Sequence, residues 1–129
     1  MSFSYNKGEK LKHKKIIDGL FSSGESVNQY PLRLVYITNA PINDGSVKIA
    51  VSVSKRHFKK AVERNKIKRL IREAFRLHKP DVEAFVKTQC GNGLFGMILY
   101  NGDVIPNFEH LHKCMSNLWL KFESKKKSL

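Results

Sequence analysis

Acidic residues are scarce in this chain of 129: 11 Asp or Glu stand against 24 Lys or Arg, giving a formal net charge of +13 and a pI near 9.9. An imbalance of that size repels itself in a compact state, so a polyanionic partner is expected, nucleic acid first and an anionic membrane surface second. Cysteine is scarce too. Two residues, Cys90 and Cys114, make no disulfide framework in a chain of this size, which suits a reduced, cytoplasmic setting. Long apolar runs are missing. The longest near-continuous one, residues 94–100 (LFGMILY), is far too short to span a bilayer. The opening MSFSYNKGEKLKHKK holds no apolar stretch that could act as a signal sequence. Catalytic constellations are lacking as well: no His/Asp/Ser or Cys/His set is discernible, and the carboxylates show none of the paired spacing of a metal nuclease.

What is present is ordinary in its apolar content, 41% hydrophobic and 27% charged, as in globular domains. The length fits one domain, residues 1–129, with the first ten or so residues and 124–129 expected to be mobile. A chain of this size buries roughly two-thirds of its unfolded surface, enough for a core without staples. Residues 11–22 carry Ile16, Ile17, Leu20 and Phe21 at helical spacing, and Gly24 stands where such a helix would stop. Residues 32–37 (LRLVYI) read as a strand, and APINDGS supplies turn chemistry. Residues 47–54 (VKIAVSVS) alternate clearly. Val47, Ile49, Val51 and Val53 face one way, and Lys48, Ala50, Ser52 and Ser54 the other, a small polar surface open to close approach.

A helix is predicted from near Phe58 to about Lys79, where Pro80 disfavours a helical residue before it. The turn-like CGNG and the apolar strand 94–100 come next. Asn107 is placed to cap a last helix with Phe108, Leu111, Met115, Leu118, Trp119 and Phe122 on one stripe. Helix, two or more strands, helix, strand, helix is the order of a two-layer α/β sandwich with helices on one sheet, an α+β class.

The central helix carries the charge. Ile67, Leu70, Ile71, Ala74 and Phe75 form a core stripe at i, i+3, i+4, i+7 and i+8, while Asn65, Lys68, Arg69, Arg72 and Arg76 line the opposite side. Lys55 to Lys79 includes eleven Lys or Arg and two Glu, a balance of +9 out of +13. A solvated helix face usually mixes signs into i,i+4 pairs, and like neighbours cost a few tenths of a kcal/mol each. Phosphates reverse that cost, and the planar fork of Arg grips phosphate oxygens bidentately. Asn65 adds a neutral donor and acceptor for a phosphate or ribose hydroxyl. The ridge reads as a phosphate-binding surface.

The string SVSKRHFKKAVERNKIKRLIREAFRLHK resembles the central signature of the bacterial ribonuclease P protein subunit, where a strand ending Ser-x-Ser-Lys-Lys leads into a helix bearing Arg-Asn-Arg-x-Lys-Arg-x-x-Arg-Glu. The match runs without a gap from about Ile49 to Arg76, and weaker similarity covers almost the whole chain. Lys66 stands where Arg is usual, Arg56 replaces the second Lys, His57-Phe58 occupies a turn where Gly is frequent, and Ile17 sits where an aromatic is common.

The resemblance implies an order of α-β-β-β-α-β-α with a left-handed βαβ crossover, a rare exception to the right-handed rule. It also implies the accessory subunit of a ribonucleoprotein endonuclease that removes the 5′ leader of precursor tRNA. Catalysis and the Mg²⁺ ions belong to the RNA subunit, with no tightly held cofactor, no catalytic side chain and no bound metal on the protein. Lys55, Arg56, Lys59, Lys60, Arg64, Asn65, Lys66, Lys68, Arg69, Arg72 and Arg76 are the implied RNA-binding set. Phe21, Tyr36 and Ser52 are the implied contacts to the single-stranded leader, in a cleft between the first helix and the sheet. The implied partners are the catalytic RNA and precursor tRNA, with no membrane and no obligate protein partner.

Two further signals carry less. HLHKC places His110, His112 and Cys114 at spacings that point to different helix sides, unlike a four-ligand zinc site. KFESKKK reads as a solvated, frayed helix end with nonspecific attraction for RNA. A membrane-surface helix would need its apolar side free to enter lipid, so burial of the five core-stripe residues decides against it.

Overall fold

The computed structural model describes residues 24–40, 47–89 and 93–127. Its elements are β1 (Glu25–Gln29), β2 (Leu32–Ala40), β3 (Val47–Val53), α1 (Ala61–Gln89), β4 (Gly93–Tyr100) and α2 (Phe108–Lys127). The expected helix over 11–22, the turns at 41–46 and 90–92, and Phe21 lie outside the described residues.

The four strands form one mixed sheet in the order β1-β2-β4-β3. β4 lies between an antiparallel β2 and a parallel β3, and its nearly unbroken apolar sequence serves both faces: Leu94, Ile98 and Tyr100 join the main core, while Phe95, Met97 and Leu99 belong to a smaller cluster with Val35 and Ile37 on the other face. The β3–β4 pair is parallel, so the chain must cross over between them, and α1 is that crossover.

Both helices pack on one face of the sheet. Leu32, Leu34 and Tyr36 of β2, Val47, Ile49 and Val53 of β3, and Leu94, Ile98 and Tyr100 of β4 meet Ile67, Ile71, Ala74 and Phe75 of α1 and Leu111, Met115, Leu118, Trp119 and Phe122 of α2. Full burial of each large apolar side chain is worth about 1.5–3 kcal/mol, so this one layer dominates the fold's stability. At Gly96 a Cβ would sit 3.0 Å from Leu34 Cδ1 and 3.1 Å from Ile49 Cδ1, so glycine lets the neighbouring strands' side chains close over β4 there without being pushed aside. The alternation read for β3 holds, with Val51 partly rather than fully buried. Asn107 caps α2 as expected: its Oδ1 accepts the His110 N–H at 2.8 Å.

Three points refine the expectations. First, α1 runs through Pro80 to Gln89 instead of stopping near Lys79. A mid-helix proline costs roughly 3 kcal/mol. Val82 and Val86 beyond it are buried and Phe85 packs edge-on against Phe122, so tertiary packing outweighs the local penalty. Second, the three strands that the resemblance implies before the central helix are present, and the first of them, which no residue pattern located, is the short polar strand β1. Its sequence ESVNQ buries only Val27, so hydrophobic patterning gives no sign of it.

Third, the lysine-rich end of α2 is not a frayed tail as far as Lys126. Lys121 Nζ donates to the Asn28 carbonyl and Lys125 Nζ to the Ser26 carbonyl, each at 3.0 Å, while Lys126 Nζ bonds Glu25 Oε2 at 2.7 Å. These three ammonium groups stitch α2 along the outer edge of β1, and Lys126 also lies 5.2 Å from the centre of the Tyr36 ring. Lys126 holds the Glu25 carboxyl below its usual range.

Candidate nucleic-acid interface

The cationic surface begins in the loop between β3 and α1. The Ser54 carbonyl accepts the Phe58 N–H at 3.3 Å and its Oγ accepts the Arg56 N–H at 3.0 Å, closing a tight turn that leaves Lys55, Arg56 and His57 in solvent. Phe58 is buried against Tyr100, with ring centroids 6.0 Å apart, and anchors the loop to the core. Lys59 and Lys60 follow, both exposed, at the start of α1. The first N–H groups of a helix have no intrahelical carbonyl, and the helix dipole makes this end positive. Lysines there add repulsion that a bound anion relieves.

Arg64 has a different role from its neighbours. Its Nη1 donates to the Phe58 carbonyl at 2.7 Å and to the Lys59 carbonyl at 2.9 Å, so a partly buried guanidinium bends the loop around itself. Asn65, Lys66, Arg69 and Arg72 are exposed, and Lys68 is half-buried; none of the five has an ion-pair partner among the described residues. Arg76 is exposed but engaged, gripping both oxygens of Glu73 at 2.6–3.2 Å and holding that carboxyl below its ordinary range. The opposite side of α1 is committed: Ile67, Ile71, Ala74 and Phe75 are buried and Leu70 packs on the core, which leaves no apolar helix face for a lipid surface. Among the described residues, no helix is long and apolar enough to cross a membrane.

Of the residues assigned to leader contact, Ser52 and Tyr36 lie on opposite faces of the sheet. Ser52 sits half-buried on the sheet face away from the helices, in a cross-strand row with Leu99 and Arg33. Tyr36 lies on the other face, fully buried, edge-on to Phe122 at 5.0 Å, so it offers no open ring to a base; here it is a core residue. Phe21 is outside the described residues. The strand sequences give each residue's parity but not the register between strands, and the register decides which residues share a face. On the Ser52 face, that register adds Arg33, a cation that the sequence reading did not place there, beside Lys48, whose side the alternation of β3 already gives. They flank the apolar cluster of Val35, Phe95, Ile37, Met97 and Leu99.

The histidines of HLHKC separate as their spacing demands. His110 Nε2 is 3.6 Å from Cys114 Sγ, whereas His112 stacks at 4.9 Å on His78 of α1. Among the described residues, no three His, Cys, Asp or Glu side chains are grouped to hold a metal ion.

The fold and this surface define a small α+β protein that presents one single-signed cationic helix face outward from its helical layer. Known proteins share the fold. The family described as Ribonuclease P matches residues 5–123. The ribonuclease P protein component of Porphyromonas gingivalis is 40% identical over 114 residues, covering 88% of this chain and 82% of that protein. Its counterpart in Chlorobium phaeobacteroides is 33% identical over 128 residues, covering 89% and 85%. Among solved structures, the RNase P protein of Staphylococcus aureus superposes with a TM-score of 0.62 at 20% identity, covering 93% of this chain and 94% of that one. That of Thermotoga maritima gives 0.61 at 19% identity, covering 81% and 89%. The chain belongs to the ribonuclease P protein component family, which supports a role in tRNA 5′ processing as part of an endoribonuclease complex.

Proposed function

We propose that this protein is the accessory subunit of ribonuclease P, binding the catalytic RNA through the exposed face of α1 and its lead-in loop. The observation that carries this reading is the run of Lys66, Lys68, Arg69 and Arg72, all cationic and none paired with a carboxylate among the described residues. Each phosphate neutralised releases condensed counterions, so binding is strong at low salt and falls steeply as salt rises. Asn65 and the positive end of α1 supply neutral donors that fix register on the backbone. Arg64 holds the loop that presents Lys59 and Lys60, and its remaining donors face the same phosphates.

Hydrolysis of the leader phosphodiester is assigned to the RNA subunit and its Mg²⁺. No step of the proposal is given to a protein-bound ion. The single-stranded leader is assigned to the sheet face bearing Ser52, with Arg33 and Lys48 at its margins and Phe21 as the candidate stacking side chain. By screening repulsion between the two RNAs, the protein lowers the Mg²⁺ that cleavage requires.

Precursor-tRNA cleavage at low Mg²⁺ tests the proposal, using the protein alone, the RNA subunit alone, and both together. Cleavage is expected from the mixture and not from the protein. An RNA subunit that gains nothing from the protein would refute the assignment and leave a general RNA-binding role.

A further inference from the structure

On one shoulder of the cationic ridge, α1 and the outer edge of β3 enclose a groove of about 320 Å³ lined by Ile49, Val51, Phe75, Arg72, Arg76 and Lys79. Its floor and its rim differ in chemistry. Ile49 and Phe75 are nearly buried and Val51 partly so, giving an apolar floor at the margin of the core. Arg72, Arg76 and Lys79 occupy one helical stripe at i, i+4 and i+7 and stand along one side of it. Arg76 is held by Glu73, and Lys79 lies 3.9 Å from Glu83, so these two are braced along the helix, while Arg72 has no ion-pair partner. The sheet ends at β3, so no described strand closes the far side.

An apolar slot with cations on one wall suits a ligand that is flat and apolar in one part and anionic in the next. Resting on the reading of α1 as an RNA-binding face, we infer that this groove captures one unstacked nucleotide of the bound RNA, its base against Ile49, Val51 and Phe75 and its phosphate between Arg72 and Lys79. The size agrees: ligand pockets begin near 300 Å³, and one this small takes a single base with its sugar and phosphate. Duplex RNA hides its base faces in the stack, so only a bulge, loop or single strand can enter. The groove is continuous with the ridge through Arg72, so a backbone tracked along α1 is delivered to it. An extended acidic peptide meets the same charges, but the continuity favours RNA.

The test uses the full chain and two short single-stranded RNAs with equal numbers of phosphates, one carrying uracil throughout and one abasic. The wild type should bind the base-bearing strand about tenfold more tightly, as expected of one base resting on an apolar platform. Val51→Gln should bring that ratio close to one, with thermal melting to verify the fold. As a fold-independent readout, 4-thiouridine RNA crosslinked to the wild type should mark peptides containing residues 47–53 or 72–79. Equal binding of both strands by the wild type, a ratio unchanged in Val51→Gln, or crosslinks confined elsewhere would overturn the groove. So would a polyglutamate peptide that binds in a Val51-dependent way without any base dependence. Failure to bind either RNA would instead overturn the RNA-binding reading itself.

Discussion

Arg64 Nη1 donates to two consecutive carbonyl oxygens, that of Phe58 at 2.7 Å and that of Lys59 at 2.9 Å. The family resemblance groups Arg64 with the RNA-binding set. The geometry makes it a brace as well. Arg64→Ala should destabilise the fold by about 1–2 kcal/mol through two lost charge-assisted bonds, and should also weaken RNA binding. Chemical denaturation and a binding titration measure the two effects. Arg64→Lys, which keeps the charge but not the fork, should recover binding only in part.

Lys68 offers the contrast. It has no ion-pair partner, and its side chain only flanks the core stripe. Lys68→Ala should leave the melting temperature within error while reducing the slope of log affinity against log salt by about 1. A large stability loss with an unaltered slope would make Lys68 structural.

His78 and His112 stack across the α1–α2 interface, with His78 Nε2 3.2 Å from Ser116 Oγ. Burial pushes the His78 imidazole below its ordinary 6.5; the neighbouring His112 pushes the same way, and Asp81 opposes both. The unfolded chain therefore binds a proton here more readily than the folded one. Stability from this group is complete above 6.5 and declines as pH falls through 6.5 toward the lowered folded value. Melting temperatures between about pH 7.5 and 5 should fall more steeply in the wild type than in His78→Gln.

Pro80 sits exposed inside α1. Restoring the missing N–H with Pro80→Ala should stabilise the protein by about 2–2.5 kcal/mol, the helix penalty less the unfolded-state advantage of proline. Circular dichroism should show unchanged or greater helicity. A loss of stability would mean that the docking of Val82 and Val86 depends on proline at this position.

Where periodicity and packing agree, the sequence is legible. The apolar stripe of α1, the alternation of β3 and the Asn107 cap were all readable because local preference and burial point the same way. Three features were hidden. β1 is polar and stabilised by its partners, and the last third of α1 depends on distant contacts strong enough to override proline. The face that Tyr36 occupies depends on register, which a single strand does not encode. In the candidate site, the cations of α1 were legible as a group, but the division of labour within them was not. Whether a guanidinium reaches solvent, a carbonyl or a carboxylate is decided by folding, as Arg72, Arg64 and Arg76 show.

The lysines that bind α2 to β1 also limit how these molecules can join one another. Sheets grow into fibres by adding strands at both margins. Here Lys121, Lys125 and Lys126 occupy one margin, leaving β3 as the sole described margin available for strand addition. Strand addition at the β1 margin is therefore obstructed by the same ammonium groups that hold the last helix down.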